Sequence, residues 1–279
     1  MKIVSLYGIL IRLLRELNEL RVLCVGDICS PSGVCAALDM IPDLKREYDI
    51  DFTIANGENS AEGNGITPES ANLIFSAGAD IITGGNHSFR RKEIYDMLDS
   101  DPCLLRPHNV AFEFGSGYTV CDLGKYQIAV INLSGQMYLE RTKADNAFKS
   151  AENLVLQAKS DGARFIFVDF HAEATSEKRA MGFFLDGKVS AVFGTHTHVQ
   201  TADEQILPGG TGYITDIGMT GVIDSVLGVK KEIIINRLKS GGSEKFIQAS
   251  GRCMLNGCVF EIDDETGLAK SVKRIYKEQ

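Results

Sequence analysis

Asp51-Phe-Thr-Ile-Ala-Asn-Gly-Glu-Asn59 is a short apolar run that ends in ligand-type side chains. Residues 51–55 have strand composition; Asn56-Gly-Glu-Asn59 suits either a turn with capping residues or a ligand loop. The same grammar recurs on both sides. Upstream, the apolar residues 21–26 end at glycine and are followed by Asp27. Downstream, residues 80–83 lead into Gly84-Gly-Asn-His87, residues 164–170 into His171, and residues 189–193 into Gly194-Thr-His-Thr-His198. Helical patterns fall between these runs, over 36–48, 91–98 and 151–159, with another between 170 and 189. Thr67-Pro68-Glu69 is a helix start: a capping threonine, proline at the first helical position and an acid in the first turn. Residues 118–123 and 127–133 read as a hairpin turning at Gly124-Lys125, and residues 253–275 as two strands joined by Asp263-Asp-Glu-Thr-Gly267. The chain is therefore expected to be α/β. With no repeat, low-complexity stretch or linker, residues 21–279 are expected to form one domain.

Composition narrows the function. The 279 residues are 44% hydrophobic and 24% charged, enough for a sizeable core. Net charge is -8, with no dense Lys/Arg run, so a stable nucleic-acid-binding face is not expected. Attraction for phosphate has to be local, from metals or backbone donors. The cysteines number 7, an odd count without a Cys-x-x-Cys pair, which reads as reduced thiols in the cytoplasm. No Walker loop or Gly-x-Gly-x-x-Gly is present, so a nucleoside-triphosphate or dinucleotide site lacks support. Residues 1–20 are expected to be an extension. Leu6, Leu10, Leu13, Leu17 and Leu20 have the spacing of an amphipathic helix, for membrane-surface or partner binding; a packing extension or a start codon placed too far upstream is the preferred reading. The stretch is a poor signal peptide and too short to span a membrane.

Taken singly, each polar motif has a bland reading. A Gly-Asp after a strand is often only a turn, Gly-Gly-Asn-His suits a helix entry, and a lone His171 suits a hydrogen-bonded structural role. His196-Thr-His198 is stronger, because alternate residues of an extended segment can point the same way. As a set they converge. Ligands of open α/β sheets gather at the carboxyl ends of strands. Five segments deliver Asp27, Glu58, Asn59, Asn86, His87, His171, His196 and His198 to such ends. Imidazole, carboxylate and amide oxygen are ligands of Mn, Fe and Zn. Two such ions ~3.5–4 Å apart can engage both sides of an in-line phosphoryl displacement, and Glu58 is the candidate bridge. With Asp27 and Glu58, two divalent ions leave a charge of about +2, which suits phosphate.

The segments Gly26-Asp27, Asn56-Gly-Glu-Asn59, Gly85-Asn86-His87, Asp169-Phe-His-Ala-Glu173 and Gly194-Thr-His-Thr-His-Val199 resemble the YmdB-type branch of the calcineurin-like metallophosphoesterases. So do Thr175-Ser-Glu-Lys178, Val199-Gln-Thr-Ala-Asp203 and Tyr213-Ile-Thr-Asp-Ile-Gly-Met-Thr-Gly221. The likeness runs from about Arg21 to the C-terminal strands. It implies a layered α/β/β/α metallophosphoesterase sandwich holding two divalent or mixed-valence transition-metal ions, Fe or Mn. The implied activity is hydrolysis of cyclic nucleotides, 2′,3′-cyclic ones above all and 3′,5′-cyclic ones as a further class, through metal-activated water. By position, Asp27, Glu58, Asn59 and His198 would hold one metal. Glu58, Asn86, His171 and His196 would hold the other, and His87 would protonate the leaving oxygen. The wider superfamily opens with Asp-x-His. Here that motif is Asp27-Ile-Cys29, so the histidine is missing and Asn59 would replace it, as in the YmdB-type branch. Cys29 is read as an unliganded loop thiol ahead of a metal ligand, and His108, in the Arg106-Pro-His-Asn109 stretch, as a loop cap ahead of a substrate contact. Two rivals stay open: a phosphomonoesterase (nucleotidase or protein phosphatase) with the same metals, and a regulatory partner-binding protein in which the same metal site is structural or vestigial. The resemblance also leaves open a protein partner in RNA turnover and a homo-oligomer.

Overall fold

The computed structural model describes residues 19–279; the leucines at 6, 10, 13 and 17 lie outside them. Two sheets pack face to face. The first runs β2 (Asp27–Ile28), β11 (Met219–Val222), β12 (Cys253–Asp263), β1 (Glu19–Val25), β3 (Phe52–Asn56), β4 (Ile81–Thr83), and β13 (Ala269–Glu278) also pairs with β12. The second runs β5 (Tyr118–Asp122), β6 (Gln127–Ser134), β7 (Phe165–His171), β8 (Ala191–Thr195), β10 (Gly212–Ile214), β9 (Gln205–Ile206). The parallel pairs β1/β3, β3/β4, β6/β7 and β7/β8 carry the strand–loop–helix grammar of the sequence.

Period-two alternation assigns each strand face to a layer. In β1, Leu20, Val22 and Cys24 point between the sheets, where they join Phe52, Ile54, Phe260, Phe165, Phe167 and Phe193. The alternate residues Leu23 and Val25 face outward onto helices α1 (Ser30–Glu47) and α2 (Pro68–Ser76), through Val34, Met40, Ile41, Leu44 and Ile74. On the far side, α4 (Ala147–Ser160) and α5 (Thr175–Leu185) cover the second sheet with Ala151, Leu154, Val155, Met181 and Leu185. The order of layers is thus α/β/β/α. The central strands, such as β1, β3, β7 and β8, are apolar on both faces because both faces are covered.

Several boundaries differ from the sequence reading. β1 begins at Glu19, and Leu20 is fully buried, so these two residues, read as the end of the extension, belong to the first sheet. α1 starts at Ser30, six residues before the expected start at 36, because Pro31 occupies its first turn and Pro42 is accommodated inside it. The 91–98 helix is a 3-10 turn, Lys92–Ile94, followed by the six-residue α3 (Tyr95–Ser100). The sixth helix, α6 (Lys231–Ser240), buries none of its residues. Among the described residues no helix is long and apolar enough to cross a membrane.

Candidate metal centre

The strand ends on one edge deliver the nominated residues, and close backbone approaches make room for them. A Cβ on Gly26 would lie 2.1 Å from the Gly218 carbonyl oxygen, so only glycine lets β1 turn into Asp27 there. A Cβ on Gly85 would lie 2.3 Å from His171 Nε2 and 2.4 Å from Glu58 Oε2, which places Gly85 as the floor of the site.

Glu58 is the hub. It is 1% exposed, and its Oε2 accepts the His87 backbone N–H at 2.7 Å. Its Oε1 accepts Asn59 Nδ2 at 2.7 Å, with His87 Nδ1 at 3.2 Å and His171 Nε2 at 3.5 Å. Asn59 Nδ2 also lies 3.3 Å from His198 Nε2. Asn86 Oδ1 is 2.9 Å from His171 Nε2, and His196 Nδ1 is 3.1 Å from that same nitrogen. Asp27 is fully buried; its Oδ2 accepts the His196 backbone N–H at 3.1 Å, and its Oδ1 lies 3.8 Å from His198 Nε2. The structure therefore gathers all eight residues nominated from the sequence. His87 is the most open of the four histidines, with 28% of its side chain exposed. Cys29 is buried beside them; its thiol donates to the Asp27 carbonyl and lies 3.6 Å from His198 Nδ1. His108 is not part of the cluster. It sits on an exposed loop that Arg106 binds through the carbonyls of residues 107, 108, 110, 112 and 114.

Several features fit metal cations here. Asp27 Oδ1 and Asn59 Oδ1 are buried with no hydrogen-bond donor, a costly arrangement for oxygens without a counter-charge. Glu58, His171 and His196 bring ligand atoms within 4.8 Å of one another. Burial, followed by the nearby Glu58, pushes the Asp27 carboxyl well above its ordinary range. Burial acts to raise Glu58, and the hydrogen bonds from the His87 ring and backbone N–H oppose it, favouring the charged carboxylate. Burial lowers His171, His196 and His198, leaving neutral imidazoles, the form that binds metal. Nitrogen and oxygen donors in this mixture suit divalent first-row ions.

His196 and His198 both take left-handed backbone, at φ 97° and 64°, which is unfavourable for residues that carry a Cβ and is held only by surrounding contacts. Those contacts include residues given no role by the sequence reading. Asp216 is fully buried, pairs with the buried Lys178 ammonium at 2.6 Å, and accepts both the N–H and the hydroxyl of Thr197. Glu173 Oε2 lies 3.1 Å from His196 Nε2. Asp216 follows β10 closely, so the strand-end signal that found the other residues was present there too.

The family model described as YmdB-like protein matches residues 23–275. The chain is 45% identical over 257 residues to the 2′,3′-cyclic-nucleotide 2′-phosphodiesterase of Bacillus subtilis (strain 168), spanning 92% of this chain and 96% of that one. A crystal structure of a phosphatase from Mycoplasma pneumoniae superposes with a TM-score of 0.88 at 34% identity, covering 94% of each chain. A hypothetical protein from Thermus thermophilus superposes with a TM-score of 0.85 at 35% identity, covering 93% of this chain and 100% of that one. The α/β/β/α layering is accordingly that of the phosphoesterases.

Proposed function

Because the chain belongs to the YmdB-like protein family, we propose that it is a metal-dependent phosphodiesterase acting on cyclic nucleotides, 2′,3′-cyclic ones first. The observation that carries this reading is the convergence of Asp27, Glu58, Asn59, Asn86, His171, His196 and His198, with two buried carboxylates and neutral imidazoles, on one strand edge. Asp27, Glu58, Asn59 and His198 would hold one ion and Glu58, Asn86, His171 and His196 a second, Glu58 serving both. Iron and manganese suit this donor set. When bound, two such ions supply Lewis acidity to a phosphoryl group and an activated water.

The protein's own groups account for the rest. The Glu58 carboxylate fixes the His87 backbone and ring together, so the imidazole stands at the open side of the cluster without being a ligand. From there it can protonate the departing ribose oxygen, a poor leaving group otherwise. Asp27 Oδ2 holds the His196 N–H, so one ligand orients another. All seven cysteines are free thiols, which supports a reducing, cytoplasmic setting. The deciding experiment is metal analysis of purified protein together with a hydrolysis panel: 2′,3′-cyclic and 3′,5′-cyclic nucleotides with a phosphomonoester control. Preferred turnover of the monoester would favour a nucleotidase or phosphatase instead.

A further inference from the structure

We propose that Asp169 is a positioning residue that locks the tautomer of His171 through Thr195 and ties together the strand ends that carry the metal site, a role that rests on the metal-centre reading. Asp169 lies on β7, two residues before His171, and is fully buried between the sheets. Its Oδ1 accepts the Thr195 hydroxyl at 2.6 Å. Its Oδ2 accepts the Thr83 hydroxyl at 2.5 Å and Asn56 Nδ2 at 3.2 Å. Those three donors stand at the carboxyl ends of β8, β4 and β3. Each precedes a nominated ligand closely: Thr195 precedes His196, Thr83 leads to Asn86, and Asn56 leads to Glu58. Asn56 also accepts the Glu58 backbone N–H through Oδ1, at 3.2 Å, so both ends of its amide are used. One carboxylate thus connects four ligand-bearing segments, its own included.

The direction of the hydrogen bonds follows from the carboxylate. An ionised Asp169 only accepts, so the Thr195 hydroxyl must donate to it. That hydroxyl is then left with lone pairs for His171 Nδ1, 2.9 Å away. His171 therefore carries its proton on Nδ1 and presents an unprotonated Nε2 toward Asn86 Oδ1 and His196 Nδ1. In metal sites the partner of the non-ligating nitrogen sets ring orientation and basicity, and its loss typically costs ~10–100-fold in affinity. An amide at position 169 reverses this logic. If its NH₂ faces Thr195, the hydroxyl becomes an acceptor there and can donate to His171 Nδ1, which moves the ring proton to Nε2, onto the side of the metals. If its NH₂ faces Asn56, two donors oppose each other and the β3 tie is lost.

The test uses the full chain and three variants, Asp169→Asn, Thr195→Val and Thr195→Ser, with Mn²⁺ as the probe. Nitrogen-15 NMR of the metal-free protein reads the His171 tautomer, and calorimetry reads Mn²⁺ affinity. Thr195→Val is expected to lose the Nδ1-protonated form and to bind Mn²⁺ roughly 10–100-fold more weakly; Asp169→Asn is expected to weaken Mn²⁺ binding likewise, by tautomer reversal where its NH₂ faces Thr195 and by loss of the β3 tie where it faces Asn56. Thr195→Ser, which keeps the hydroxyl, is expected to restore both readings. A merely structural role would lower melting temperature without moving the tautomer. Unchanged tautomer and affinity in Thr195→Val, or failure of serine to rescue, overturns the proposal. Should Asp169→Asn not fold, the Thr195 pair carries the test alone. Absence of Mn²⁺ binding by the wild-type chain would refute the metal-centre reading itself, while the tautomer measurement would still judge the relay.

Discussion

His171 Nε2 and His196 Nδ1 face each other at 3.1 Å, with the two rings inclined at 71°. His171 turns its other nitrogen to Thr195, and His196 turns its other nitrogen to Glu173. With neutral rings that donate from those outer nitrogens, both facing nitrogens are unprotonated, and Asn86 Oδ1 stands 2.9 Å from the first of them. Electron pairs converge on electron pairs. A cation is the species that makes such an arrangement favourable, and the buried oxygens of Asp27 and Asn59 extend the same demand to a second position.

Elemental analysis of the purified protein is therefore expected to find about two transition-metal ions per chain. Removing them with a chelator should lower the melting temperature, because ligands that bind only the folded state stabilise it. A fully active enzyme carrying one ion per chain would rule out the shared-Glu58 arrangement.

Glu58→Gln keeps the shape of the side chain and removes the charge at the middle of the cluster. Metal content and turnover are expected to fall together while circular dichroism stays that of the wild type. Wild-type metal content in this variant would place the bridge elsewhere.

Gly85→Ala is the sharpest steric probe, since the added methyl would sit 2.3 Å from His171 Nε2 and 2.4 Å from Glu58 Oε2. The expected result is a protein that folds but cannot retain metal. An alanine variant with normal metal content and activity would show that the loop yields freely, contrary to the packing seen.

His87→Ala separates proton donation from scaffolding. A positioned acid contributes ~10²–10⁴-fold to rate, and kcat on a cyclic nucleotide should drop by about that range with metal content unchanged. The loss should be smaller for a nitrophenyl diester, whose leaving group needs little protonation. Equal losses on both substrates, accompanied by metal loss, would instead make His87 a support for Asn86.

Lys178→Met tests the anchor of the His196–His198 loop. Removing one partner of a buried ion pair leaves the other charge uncompensated, at a cost of about 3–5 kcal/mol. The Lys178–Asp216 pair is buried on both sides, so chemical denaturation should show a loss of that size. A change below about 1 kcal/mol would mean that the backbone N–H groups around Asp216 suffice on their own.

Much of the site was legible because the fold writes it in a local code. Asp27, Glu58, Asn86, His171 and His196 each follow an apolar run closely, and parallel strands put such positions on one edge. Which partners the supporting residues take was not legible. Asp169, Thr195 and Asp216 bind partners 19 to 113 residues away in the chain, and no local pattern states such pairings. Asp169 even sits inside an apolar run, where strand periodicity alone suggests nothing about its use. The α1 start was hidden for a different reason: Ser30 has φ 68° and a proline follows, which in sequence resembles the end of a loop. Strand β12 was recognisable as a strand, but its registry with β1, from Glu19–Asp263 to Val25–Gly257, depends on tertiary contact alone.

That registry also sets an order of events during synthesis. β1 leads directly to Asp27, yet the antiparallel neighbour that holds it, β12, is made long after it and after the whole of the second sheet. Until then β1 has β3 as its parallel neighbour, while the second sheet, β5 to β10, can assemble from segments made in sequence. Closing a contact across more than 200 residues is slow and leaves apolar strand edges uncovered in the meantime. The half of the protein that carries Asp27 and Glu58 thus waits on β12, so a nascent chain has no finished metal pocket to fill until that strand has emerged.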